Sequence, residues 1–175
     1  MIRSIRKEDI PAILNWYNWY IEHSEATFET DPLTLEEFTG RVEMITAQYP
    51  WIVYEEEGKA VGYAYLASFI PRAAYDWTCD LAIYLDPQQR GKGYGAKLMG
   101  AILEIAQKAG YVNVVSIITK GNIASEALHE KYGFRRTGEI EEAGYKFGKW
   151  LGVSYYVKKL RQPETDPASP SNPKI

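Results

Sequence analysis

The chain has one cysteine, Cys79, in 175 residues. A single thiol excludes an internal disulfide framework and any metal site built from several cysteines. Basic charge is not in excess. Lys and Arg number 20 against 23 Asp and Glu, a net charge of −3, so no global positive field invites nucleic acid. No apolar run approaches the length of a membrane span, and the N-terminus has no signal-peptide apolar core. Internal repeats are absent. These features lead us to expect a soluble, cytoplasmic protein with neither a nucleic-acid nor a membrane partner.

Apolar residues make up 46% of the chain, enough at this length for one domain with a real core. Tyrosine and tryptophan are abundant, at 14 and 5. Both combine an apolar body with a polar tip, which suits pockets and interfaces. The expected fold class is α/β (α+β), a sheet flanked by helices. Residues 1–160 read as the domain and 161–175 as a Pro-rich, mobile C-terminal tail.

Residues 1–5 read as a short strand, followed by a helix with Asp9 as N-cap, Pro11 in its first turn and Ile10, Ile13, Leu14, Tyr17 and Ile21 on its buried face. Thr34 and Glu37 form a capping box for a second helix that buries Leu35, Phe38, Val42 and Ile45. A hairpin follows, with strands at 51–54 and 60–66 and a solvated turn at 55–58. From 77 to 85 the chain alternates, Cys79 facing one side and Asp80 the other. Cys79 is expected to be a small buried hydrophobe. Residues 111–118 form another apolar strand. Asn122 caps a helix that ends near Tyr132 and Gly133, with Ser125, His129 and Tyr132 on one face. Strands at 135–139 and 150–160 are joined by a Gly-containing loop at 143–149.

The most informative stretch is 81–110. An apolar strand, Leu81-Ala82-Ile83-Tyr84-Leu85, leads into Arg90-Gly91-Lys92-Gly93-Tyr94-Gly95-Ala96. Leu98, Ile102, Ile105 and Ala109 then fall at helical spacing, and Gly110 stops the helix. A glycine-rich turn at a helix N-terminus offers unpaired backbone donors and a positive dipole to an anion, and Arg90 and Lys92 add full charge. A phosphate is the expected occupant. A P-loop fails because Gly93 stands where Ser or Thr is required. A dinucleotide turn lacks the carboxylate at the end of the following strand, which reads Ile117-Ile118-Thr119-Lys120. A third pattern, Arg-x-x-Gly-x-Gly, is met by Arg90, Gly93 and Gly95, and the competing reading is an ordinary βα turn with three glycines.

That pattern resembles the pyrophosphate loop of the GNAT superfamily of N-acetyltransferases, which bind acetyl-CoA. The element order also matches, as does Asn122 followed by Leu128-His129-Glu130-Lys131-Tyr132-Gly133-Phe134. Thr27-Phe28-Glu29-Thr30, Pro50-Trp51, Gly62-Tyr63-Ala64-Tyr65, the run Arg72 to Thr78 and Ala143-Gly144-Tyr145-Lys146 resemble, more narrowly, the phosphinothricin and methionine sulfoximine N-acetyltransferases. The resemblance covers residues 2–160. It implies a GNAT fold with a mixed, mostly antiparallel sheet, and direct transfer of acetyl from acetyl-CoA to the amine of a small amino-acid-like substrate, without a metal and in a homodimer.

By the same resemblance the coenzyme contacts Ile83, Tyr84 and Leu85 through backbone, then Arg90, Gly91, Lys92, Gly93, Tyr94, Gly95, Ala96 and Asn122. Asp80 stands where these enzymes carry a glutamate base, one methylene longer, so a relaying water is expected. The competing reading of Asp80 is a structural acceptor. His129 is the other catalytic candidate, as base or as acid toward the departing thiolate, against a purely structural helix histidine. His23 reads as structural. Phe28, Arg72, Tyr75 and Thr78 are candidates for substrate binding, with Arg72 suited to clamping a carboxylate. Ile70 replaces a lysine common in that group. Two rival functions stand beside this one. The first is a GNAT enzyme that acetylates another small amine or a protein N-terminus. The second is a non-catalytic acetyl-CoA sensor.

Overall fold

A computed structural model describes residues 1–171. Strand β1 (Ile2–Ser4) precedes helices α1 (Ile10–His23) and α2 (Leu35–Thr46). Then come β2 (Trp51–Glu56), β3 (Lys59–Ser68), β4 (Thr78–Leu85), α3 (Tyr94–Ala109), β5 (Asn113–Thr119), α4 (Ile123–Lys131), β6 (Arg135–Lys146) and β7 (Lys149–Lys159). The seven strands form one sheet in the order β1-β2-β3-β4-β5-β7-β6. Only the β4–β5 pairing is parallel; the other five are antiparallel.

The central strands are covered on both faces, and strand alternation decides which residue goes where. On one face α3 packs Leu98, Met99 and Ile102 against Ile52, Leu66, Cys79 and Val114. On the other, α1 and α2 pack Ile13, Ile21, Phe38 and Val42 against Trp51, Val53 and Tyr63. Burying a side chain of this kind stabilises the fold by roughly 1.5–3 kcal/mol. Cys79 and Asp80, adjacent in β4, therefore belong to opposite faces. Cys79 is fully buried, as expected of a small hydrophobe, and burial pushes its thiol pKa up.

Several local expectations hold. Thr34 accepts the Glu37 N–H while Glu37 reaches back to Thr34, the reciprocal capping box. Asn122 accepts the Ser125 N–H at the start of α4, and Gly110 closes α3 at φ +97°. Others do not. Asp9 precedes α1 but makes no side-chain cap; Arg3 and the Arg6 N–H claim its carboxylate instead. Leu35 is half exposed because it opens α2 on the outer side of the helix. The first hairpin turn is two residues rather than four. Glu57 and Gly58 both have positive φ, the geometry of a tight turn, so Glu55 and Glu56 join the strand. The segment expected as a loop at 143–149 is mostly strand. Gly144, Tyr145 and Lys146 pair with β7, and a register shift between Ile140 and Gly144 absorbs the irregularity.

The tail carries no helix or strand over residues 161–171, yet it is tied back to the domain. Arg161 donates twice to the Gly110 carbonyl, the Trp77 indole donates to Ala168, and Ser171 N–H donates to Ala109. The last part of the tail, residues 172–175, lies outside the described residues.

Candidate active site

The site originates in a fault in the sheet. β4 and β5 pair in parallel only over Thr78–Asp80 against Asn113–Val115. Beyond that point β4 stays with β3 as far as Leu85, while β5 stays with β7 as far as Thr119. The two central strands diverge, and a cleft of about 750 Å³ opens between them. Leu81 to Leu85 present one strand edge to it, Ser116 to Thr119 the other, and α4 forms a wall with Asn122, Ser125 and His129.

Asp80 stands at the apex. Its Oδ1 is buried and meets no donor among the described residues. Burial pushes its carboxyl pKa from 3.8 up to about 6, although the Leu81 N–H stabilises the charged form. A carboxylate with one buried oxygen left unbonded is costly, and such groups cluster where chemistry uses them. His129 approaches the cleft from the other sheet face. It is buried, with Nδ1 2.8 Å from the Ser125 carbonyl and Nε2 3.0 Å from Ser116 Oγ. Because a carbonyl only accepts, Nδ1 carries the proton of the neutral ring. Burial lowers the His129 pKa below its ordinary value, opposed by the bond to Ser125.

At the mouth, the glycine-rich turn meets the N-terminus of α3. Gly91 and Gly93 sit at φ +78° and +79°, and a Cβ at either would meet only open space. Their requirement is thus conformational, since other residues resist this left-handed region. Gly95, on the first turn of α3, and Arg90 line the cleft. The Arg90 guanidinium lies 5.0 Å from the Trp19 ring and donates to the Pro87 carbonyl. Trp19 in turn stacks on His23.

The remaining wall is a clasped loop. Ser24, Glu25 and Ala26 line the cleft. Lys146, almost wholly buried, donates to the Ser24 and Thr27 carbonyls, each at 2.8 Å. Thr119 donates to the Glu25 carbonyl, and Lys149 pairs with its carboxylate at 2.6 Å.

The structure thus brings together Asp80, His129, Ile83, Tyr84, Leu85, Arg90, Gly91, Gly95 and Asn122 around one cleft. Lys92, Gly93, Tyr94 and Ala96 stand beside it. Lys92 bonds Gln89, Tyr94 stacks on Tyr54, and the Ala96 carbonyl accepts from Tyr132. Phe28, Arg72, Tyr75 and Thr78 are not in the cleft wall. Phe28 packs on Gly144, where an added Cβ would come within 2.4 Å of its ring. Arg72 and Tyr75 are exposed on the turn before β4, and Thr78 accepts a bond from Asn113. Sequence reasoning overlooked Ser116, Lys146, Thr119 and Trp19. Ser116 carried a signal, as a hydroxyl inside the apolar run Val114-Val115-Ser116-Ile117-Ile118.

A cleft with an open strand edge, a glycine-rich helix N-terminus at its mouth and a buried carboxylate at its apex suits an extended, anion-tailed acyl donor. Comparison with known proteins agrees. Residues 2–152 match the family model described as an acetyltransferase (GNAT) domain. A phosphinothricin N-acetyltransferase of Streptomyces viridochromogenes is 34% identical over 93% of this chain and 88% of its own. An L-methionine sulfoximine/L-methionine sulfone acetyltransferase of Pseudomonas paraeruginosa is 32% identical, covering 91% and 94%. The crystal structure of a GNAT phosphinothricin acetyltransferase from Sinorhizobium meliloti in complex with acetyl-CoA superposes with a TM-score of 0.93. It is 30% identical and covers 99% of this chain and 95% of that one.

Proposed function

This chain belongs to the GNAT acetyltransferase family, and we propose that it acetylates the α-amine of a small amino acid of the phosphinothricin or methionine sulfoximine type. The chain is an N-acetyltransferase that uses acetyl-CoA. The observation that carries acetylation of an amine is Asp80, whose buried Oδ1 meets no donor among the described residues where the strands part. An ammonium has no lone pair and must lose a proton before it can attack a thioester. A base poised near neutrality, directly or through one water, meets that need.

The unpaired β4 edge at Ile83 to Leu85 would take the pantetheine amides as an added strand. The α3 N-terminus, its glycine turn and Arg90 would hold the pyrophosphate, and Asn122 would contact the coenzyme from α4. When bound, acetyl-CoA supplies the activated acetyl group. Arg72, with Tyr75 and Thr78, would recognise the amino acid's acidic groups from the turn before β4, and Phe28 in the 24–28 loop would wall the pocket.

We place the reaction in the cytoplasm and the enzyme in a homodimer. Supporting the dimer, the β6–β7 hairpin exposes Tyr145, Phe147 and Trp150 to more than half of their surface, and Phe147 also touches the cleft. Light scattering of the purified protein tests that assembly.

The decisive test of function is thiol release from acetyl-CoA in the presence of phosphinothricin, methionine sulfoximine, methionine sulfone and the common amino acids. Turnover on the first three supports the reading. Absence of turnover on every amino acid, with coenzyme binding intact, overturns it.

A further inference from the structure

Both nitrogens of His129 are engaged by the chain itself. Nδ1 donates to the Ser125 carbonyl and Nε2 accepts from Ser116 Oγ. The ring is 5% exposed, with Phe134 and Tyr156 around it. The imidazole therefore offers no unoccupied nitrogen to a substrate. The partner of Nε2 is Ser116, itself only 2% exposed. It lines the cleft, and its Oγ also lies 3.3 Å from the Leu81 carbonyl, at the point where β4 leaves β5.

A hydroxyl has one proton and two lone pairs. Beside a neutral His129, Ser116 gives its proton to Nε2 and keeps lone-pair capacity toward the cleft. Beside a protonated His129, Nε2–H donates to Oγ, and the hydroxyl proton turns to Leu81 or to an anion in the cleft. The Ser116 position satisfies both states without moving the backbone.

We propose that Ser116 is a further catalytic residue, the atom through which His129 exchanges a proton with the reacting groups. This rests on the acetyl-transfer reading above. Asp80, from the opposite sheet face, takes the first ammonium proton. The neutral amine then attacks the thioester carbon, a C–N bond forms, and the carbonyl π pair moves onto oxygen. The surplus proton on nitrogen passes to Ser116 Oγ as the hydroxyl proton passes to His129 Nε2. The oxygen pair re-forms the carbonyl, the C–S bond breaks and sulfur leaves with its electron pair. Nε2 returns its proton to Oγ, and Ser116 protonates the sulfur. His129 ends neutral, as it began, Asp80 releases the first proton to solvent, and the products are an amide and a free thiol. Nitrogen and sulfur are bonded to one carbon at that stage, so a single hydroxyl serves both.

The test compares Ser116→Ala, His129→Ala, the double variant and Ser116→Thr. Each single alanine variant should lower kcat/KM for the amine about a hundredfold, the scale of a lost general acid–base. The KM for acetyl-CoA should stay within about twofold of wild type, because uniform binding is untouched. The double variant should lose little more than either single one, and Ser116→Thr, which keeps the hydroxyl, should recover most of the rate. Losses that multiply in the double variant, or full activity in Ser116→Ala, would overturn the proposal.

A second readout needs no amine substrate. With two histidines in the chain, ¹⁵N NMR resolves both rings, and His129→Ala assigns the signals. His129 should be protonated at Nδ1, and Ser116→Ala should move its Nε2 resonance toward that of an unbonded acceptor. An Nε2-protonated ring, or an Nε2 resonance indifferent to Ser116→Ala, would refute the pairing. Wild-type inactivity on every amine would sink the substrate reading and leave this measurement to decide the Ser116 proposal alone.

Discussion

Asp80→Asn should make the protein more stable and nearly inactive, and the gain in stability should appear only at neutral and alkaline pH. Burial raises the Asp80 carboxyl pKa from 3.8 to about 6. The folded state thus holds a proton that the unfolded state gives up. Stability falls as pH rises from about 4 to about 6, and the loss persists above that range. At 1.36 kcal/mol per pH unit, the ionised carboxylate costs the fold roughly 3 kcal/mol at pH 8. Asparagine removes the charge but keeps a polar group that is only partly bonded, so the net gain should be about 1–2 kcal/mol. In a domain of this size that corresponds to about 3–6 °C in Tm. Urea titrations of both proteins at pH 4 and pH 8 measure it. The two should be similar at pH 4 and separate at pH 8. Wild-type kcat/KM for the amine should rise through an apparent pKa near 6 and lose about a hundredfold in the variant. The reasoning fails if Asp80→Asn is no more stable than wild type at pH 8, or if the same difference appears at pH 4.

Trp19→Ala should raise the KM for acetyl-CoA about two- to fivefold with kcat unchanged, because Arg90 loses its stacking platform, worth about 0.5–1 kcal/mol at an exposed site; steady-state kinetics check this. Gly93→Ala should cost about 1–2 kcal/mol and weaken coenzyme binding, since the residue must hold φ +79° at the head of α3; calorimetric titration of acetyl-CoA together with a thermal melt reads both effects. Lys146→Met should cost about 2–3 kcal/mol by leaving the Ser24 and Thr27 carbonyls without their donor. Hydrogen exchange should then quicken at residues 24–28 ahead of the sheet.

Much of the fold was legible because its signals are local. The capping box at Thr34 and Glu37, the stop at Gly110 and the alternation through Cys79 and Asp80 each depend on residues within a turn of one another. The failures are equally instructive. Asp9 has the chemistry of an N-cap, but Arg3 and Glu55 come together across β1 and β2, and that long-range network took the carboxylate. The polar run from Gly138 to Lys146 carries little strand propensity, and pairing with β7 overrode it. The ring of Phe28 takes a berth on β6 that the missing side chain of Gly144 provides, a contact between distant segments that spacing along the chain does not reveal.

The residue types pointed to an anion, because a basic glycine-rich turn at a helix N-terminus offers backbone donors and a positive dipole, and the resemblance carried by the motifs named the chemistry class. The sequence also supplied the carboxylate and the histidine. Only the tertiary structure decided what they can do. The parting of β4 from β5 leaves Asp80 Oδ1 buried without a donor, and burial raises the carboxyl pKa against the bond from the Leu81 N–H. The packing of α4 on β5 engages both nitrogens of His129 and sets Ser116 against Nε2 in the cleft wall. Burial and hydrogen-bond partners from distant segments set proton affinities, and neither is written in the spacing of residues along a chain.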